Sequence, residues 1–145
     1  MSKRIVLYSL MLTLLSACTG YRPPRYDPAL YPHCYRAYDL ALAWKTGREG
    51  AGVTVDGFVR NNRNAFLRGL ELTIELMDDR EKKLSEATFF FIPDLIQLDE
   101  MKPFDLKLPV PADAVPKRLK FRYKYYLYEE GEAGQIYFQT FEENL

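Results

Sequence analysis

An all-β fold of two packed antiparallel sheets is what this sequence predicts, and three observations predict it. Apolar residues recur with a period of two in several stretches beyond residue 38, most cleanly where Leu70, Leu72, Ile74 and Leu76 alternate with Glu71, Thr73 and Glu75. Those stretches are short and end in Gly, Pro, Asn or charged turn residues. No stretch carries the 3.6-residue periodicity of a long amphipathic helix, so strands have to supply the core.

Taken in order, Leu40, Leu42 and Trp44 alternate with Ala41 and Ala43 as a short first strand ending at Lys45, with Gly47 and Gly50 as turn residues. The second strand runs from Gly52 to Asn61, with Val53, Val55, Gly57 and Val59 on one side; Asn61 to Asn64 then tolerate turn geometry. The third holds the Leu70–Leu76 alternation and stops at the charged turn Asp78 to Lys82. Leu84 to Ile92 is the fourth, expected to be central or covered because Phe89, Phe90 and Phe91 put rings on both faces. Leu95 to Met101 reads equally as a helical turn or a loop. Phe104, Leu106, Leu108 and Val110 define the fifth strand, with Pro109 and Pro111 marking a sheet edge. Phe121, Tyr123, Tyr125 and Leu127 are the buried side of the sixth, and Gln135 to Phe141 is the seventh. About seven short strands within residues 38–145 amount to an immunoglobulin-like antiparallel β-sandwich, without the Cys…Trp…Cys pattern of antibody domains.

The N-terminal part follows a different logic. Lys3 and Arg4 precede an apolar run of eleven residues from Ile5 to Leu15, broken only by Tyr8, Ser9 and Thr13. A helix needs about 20 apolar residues to cross a bilayer, so residues 1–17 suit a cleaved signal peptide, helical while it is being exported. Leu15-Ser16-Ala17-Cys18 resembles the lipobox of bacterial lipoproteins. That resemblance implies a diacylglycerol on the Cys18 thiol, cleavage before it, and acylation of the freed amine, palmitate being a usual chain. Two or more acyl chains anchor stably where one does not. Thr19 is not the aspartate that resembles an inner-membrane retention signal, so the resemblance implies an outer-membrane address with the domain facing the periplasm.

Residues 18–37 then read as the lipidated cysteine and a tether. Pro23, Pro24, Pro28 and Pro32 bar helix and ladder hydrogen bonds, and Tyr21, Tyr26, Tyr31 and Tyr35 recur at spacings of four or five with Arg22, Arg25 and Arg36 among them. A purely flexible spacer would be richer in Gly and Ser, so part of this segment is expected to dock on its own domain.

Residues 53–128 resemble the FxLYD and related periplasmic immunoglobulin-like domains of bacterial lipoproteins. The similarity lies in Val55-Asp56-Gly57-Phe58-Val59-Arg60-Asn61, in the alternation from Leu72 into Asp78, and in Met101-Lys102-Pro103-Phe104. Met77 replaces a usual aromatic, and Glu81 stands near the expected turn glycine. The resemblance implies a fold and no shared catalytic activity.

Charge narrows the partners. Twenty basic and 20 acidic residues balance over 145, and removing Lys3 and Arg4 leaves a mature chain near −2, which gives no reason to expect nucleic acid. Catalytic residue types are scarce: beyond Cys18 the mature chain has one serine, Ser85, one histidine, His33, and one cysteine, Cys34. His33 lies in the tether, away from any rigid scaffold, and is expected at the surface. His33 and Cys34 are too few to hold a structural zinc. Cys34 has three readings: burial first, then a bond to another molecule, then reactivity. No enzyme, metal or cofactor is therefore expected.

The remaining candidate is a run on the sixth strand. Arg118, Lys120, Arg122 and Lys124 share its outer face and lead to Tyr126 and Tyr128. Such a ladder either pairs across strands with glutamates such as Glu71 and Glu75 or faces an acidic protein or envelope phosphate. The expected role is a non-enzymatic interaction or assembly module held to the membrane by the acyl chains on Cys18, with an envelope protein as partner. Two alternatives stay open: a small-ligand or glycan-binding module using the tyrosine-rich strands, and a pilot or collar lipoprotein of a secretion or pilus machine.

Overall fold

A computed structural model of the protein describes residues 27, 29–128 and 134–145. The expected signal-peptide helix, Cys18 and most of the expected tether lie outside the described residues. Nine strands are assigned: β1 (His33–Arg36), β2 (Leu40–Glu49), β3 (Gly52–Asn61), β4 (Phe66–Met77), β5 (Lys83–Phe90), β6 (Leu95–Ile96), β7 (Met101–Pro109), β8 (Arg118–Tyr128) and β9 (Gln135–Asn144). They form two antiparallel sheets, one ordered β1-β2-β3-β7 and the other β5-β4-β8-β9 with β6 on β4. The fold is the all-β, immunoglobulin-like sandwich that the alternation predicts.

Burial follows the period of two. Leu42, Trp44, Val53, Val55, Val59, Phe104 and Leu108 of the first sheet face Leu70, Leu72, Ile74, Leu76, Leu119, Phe121, Tyr123 and Tyr125 of the second. Each fully buried side chain of this size contributes roughly 1.5–3 kcal/mol, so the facing layers carry the fold. Asn61, the one fully buried polar side chain among the described residues, pins a corner. Its Nδ2 donates to the carbonyls of Ala65 (2.9 Å) and Ile96 (3.1 Å), and its Oδ1 accepts from Arg63 N–H (2.8 Å), so every polar atom is satisfied.

Four expectations need correction. The first predicted strand does not stop at Lys45: β2 runs to Glu49 with Gly47 paired to Thr54, because Arg48 and Glu49 still find ladder partners in Val53 and Gly52, and the turn falls on Gly50 at φ 59°. The Phe-rich fourth strand, β5, is an edge and not central. Phe89 turns inward against Phe91 and Phe104 while Phe90 stays 60% exposed, so rings on both faces here mean one ring left uncovered. Leu95–Ile96 is neither helical turn nor loop but the short β6, paired with Leu67 and Arg68 of β4. It fits there because β4 bulges between Arg68 and Glu71, where Gly69 takes φ 59° and β4 changes partner from β6 to β5.

The fourth correction concerns the tether's end. His33–Arg36 is β1, paired with Trp44–Ala41 of β2, so the docking segment docks as a strand. Its inward side chains close one long side of the sandwich: Tyr35 stacks on Phe141 of β9 at 3.8 Å, and His33 stacks on Trp44 at 5.7 Å. Trp44 and Phe141 both meet Phe121 beneath them, at 4.6 and 4.7 Å. The opposite long side is closed by β5 against β7.

Candidate interaction surface

β8 lies between β4 and β9, so its two faces have different tasks. Inward, Tyr123 and Tyr125 reach across to the bend before β2, where both hydroxyls donate to the Asp39 carboxylate, the Tyr125 bond being 2.6 Å and the shorter Tyr123 bond 3.2 Å. Tyr125 also stacks on Tyr137 of β9 at 5.5 Å. Burial, reinforced by the Asp39 charge, pushes both phenols well above the ordinary tyrosine range and keeps them as neutral donors.

Outward, the predicted basic ladder is present and is paired. Lys124 Nζ lies 3.0 Å from Glu71, and Arg122 lies 3.4 Å from Glu75 on β4. Arg118 sits between Glu142 of β9 at 3.2 Å and Glu81 at 3.5 Å, and Lys120 is 3.9 Å from Glu142. The register explains this: Lys124 opposes Glu71, and Lys120 lies between Glu75 on one side and Glu142 on the other. Of the two readings of Arg118, Lys120, Arg122 and Lys124, the geometry realises cross-strand pairing, which leaves no cation of the ladder uncompensated.

Tyr126 and Tyr128 continue the same face into a sparsely charged region, where Arg68 stands opposite Tyr126. Tyr126 opposes Ile136 of β9, and its ring covers Gly69, where a Cβ would lie 3.5 Å away. Tyr128 opposes Phe66 of β4, lies over Gly134, and carries the Arg68 guanidinium at 5.4 Å from its centroid. Around them Phe66 is 49% exposed, Ile136 61% and Phe138 77%. Five large apolar side chains thus share the end of one sheet face, and sequence reasoning found two. The missed signal was in Ile136-Tyr137-Phe138: three consecutive apolar residues on a strand cannot all face the core, so at least one face of β9 had to present apolar groups to solvent.

The other singled-out residues fall elsewhere. His33 is not a loose surface residue of the tether: β1 holds it half-buried on Trp44, with Nδ1 3.6 Å from Glu143. Cys34 points the other way and is exposed with a free thiol, so burial, the first of its three readings, is not what happens. Alternation within β1 forces this, since His33 and Tyr35 take the inward positions. Ser85 Oγ is buried in β5 with no hydrogen-bond partner, and no group of three or more metal-ligating side chains converges among the described residues. At the end of the sandwich Thr46, Arg48, Val53, Val115 and Lys117 line an open depression of about 390 Å³.

No family model matches this chain, and no curated protein sequence matches it. Among solved structures, a β-glucuronidase from glycoside hydrolase family 2 is similar over 74% of this chain, with 8% identity and a TM-score of 0.38. The match spans 10% of that enzyme's chain, and nothing about chemistry follows from it.

Proposed function

We propose that this protein is a lipid-anchored envelope protein, held to the outer membrane by acyl chains on Cys18, whose sandwich acts as a non-enzymatic assembly module. The observation that carries the assembly reading is the sparsely charged end of the second sheet, where Phe66, Tyr126, Tyr128, Ile136 and Phe138 lie open on one face around Arg68. Contiguous exposed apolar side chains mark protein contact surfaces, and tyrosine and phenylalanine are enriched in the cores of such contacts. The anchor rests on the Leu15-Ser16-Ala17-Cys18 resemblance alone.

Two measurements test the two halves. The full chain should take up labelled palmitate and sediment with membranes, and Cys18→Ser should abolish both; labelling that survives the substitution would sink the anchor. A photo-cross-linking residue at Tyr126 should capture a protein reproducibly, whereas one at Arg122, inside the paired ladder, should capture at least several-fold less. Equal capture from both positions would remove this apolar end as the contact surface.

A further inference from the structure

We infer that the partner at this surface is a second copy of the chain, joined by antiparallel pairing of the two β9 strands about Phe138. The inference deepens the assembly reading and rests on it for a protein partner at this face.

Among the described residues the sheet edges are β1, β7, β5 and β9, with the two-residue β6 beside β5 on β4. Sheet edges that must stay single are shortened, charged, bulged or interrupted by proline. β1 has four residues and carries Arg36. β7 carries Pro103 and Pro109 with Lys102 and Lys107. β5 carries a Lys83–Glu86 ion pair, and its ladder with β4 is irregular beside Met77. β9 has none of these devices over its first seven residues: Gln135-Ile136-Tyr137-Phe138-Gln139-Thr140-Phe141 has no proline, no lysine and no charge. Among the described residues it bonds through its ladder to β8 alone, and no strand pairs with its other edge.

The charge pattern selects the occupant. The uncharged run is seven residues long with Phe138 at its centre, and charge begins at Glu142. Antiparallel pairing about Phe138 sets this run against itself along its full length. Phe138 then faces Phe138 of the second copy, Ile136 faces Thr140, and Tyr137 faces Gln139. Glu142 falls opposite Gly134, and its charge is already met by Arg118 and Lys120 of its own chain. No like charges meet, inward residues stay inward, and outward residues stay outward, as continuation of a pleated sheet requires. The contact is self-complementary, so it closes as a two-fold dimer and goes no further.

The test uses the full chain in intact cells, with Cys34→Ser to remove the exposed thiol. In that background Phe138→Cys should form a disulfide-linked dimer on copper-catalysed air oxidation. Thr140→Cys should not: its counterpart in the second copy is displaced by four residues, about 13 Å along the strand, beyond the roughly 7 Å a disulfide tolerates between Cα atoms. Dimer from Phe138→Cys alone, with an unchanged melting midpoint and none from the Cys34→Ser parent, supports the pairing. Equal dimer from both positions reports collision and overturns it, as does dimer from neither. In that last case a photo-cross-linker at Phe138 separates the two readings: capture of a different protein leaves the assembly module standing without self-pairing, and no capture removes both.

Discussion

The outer face of the second sheet divides into two halves that look alike on paper and differ in what they leave undone. The half from Arg118 to Lys124 is dense in charge, and every cation in it has a carboxylate within 4 Å on β4, on β9 or in the turn at Glu81. The half around Tyr126 has few charges and five exposed apolar side chains, of which Tyr128 carries the Arg68 guanidinium. A run of lysines and arginines stands out along a sequence because its neighbours there are also cations. Across a sheet its neighbours are residues from other strands, far along the chain, and those are glutamates. The half that attracts no notice along the chain is the one whose surface is left uncovered.

Breaking the sandwich beneath the charged half sets the upper end of the scale. Phe121→Ala removes the ring between Trp44 and Phe141 and should cost about 3–5 kcal/mol in urea unfolding. Next comes the inward face of the sparsely charged half, where Tyr125→Phe deletes the 2.6 Å bond to Asp39 and should cost about 1–3 kcal/mol. The same site gives a pH signature. Both phenols are raised in the folded state, so their contribution is complete below the ordinary tyrosine value of about 10 and is lost as pH rises above it. Stability should therefore fall above that pH, and Tyr125→Phe should fall less steeply.

On the outer face the effects shrink and then separate. Arg122→Ala should cost about 0.2–1 kcal/mol, less at high salt, because the pair with Glu75 is half-exposed on the arginine side. Phe138→Ser should move unfolding by less than about 0.5 kcal/mol, since its ring touches little of the core. It should nevertheless abolish capture from Tyr126, whereas Arg122→Ala should leave that capture intact. A reversal of that order would mean that the charged half is the contact.

How much of this was legible depends on where the determining neighbour sits. β3, β4 and β8 were read correctly because their own alternation decides their faces, and Pro109 announced the β7 edge. β5 was misplaced because three phenylalanines describe a strand with rings on both sides without saying whether the second side is covered. β1 was hidden in a proline-rich segment, since its reason for being a strand is the aromatic floor supplied by Trp44 and Phe141, the latter more than 100 residues away. Glu81 shows the same limit on a smaller scale. It occupies the left-handed position at φ 62° in the turn after β4, the position a glycine was expected to fill, while Asp78 Oδ1 accepts from the N–H groups of Arg80 and Lys82 and holds the turn closed. Of the surface, the tyrosines were visible on β8, but Phe66 and Ile136 join them only through the register of three strands.

The attachment of β1 has a mechanical consequence. Among the described residues, a load arriving from the N-terminal side meets the edge-on contact of Tyr31 with Phe58, then the four-residue ladder of β1 and its two ring stacks, whereas β2, β3, β8 and β9 are each held by ladders of ten or so residues. The weakest link is in series with the strongest, so β1 acts as a fuse: it peels from Trp44 and Phe141 at a force that leaves the core standing. Until it peels, the fuse also works as a clamp. It fixes the direction in which the backbone runs at His33, along β2 and beneath Phe141.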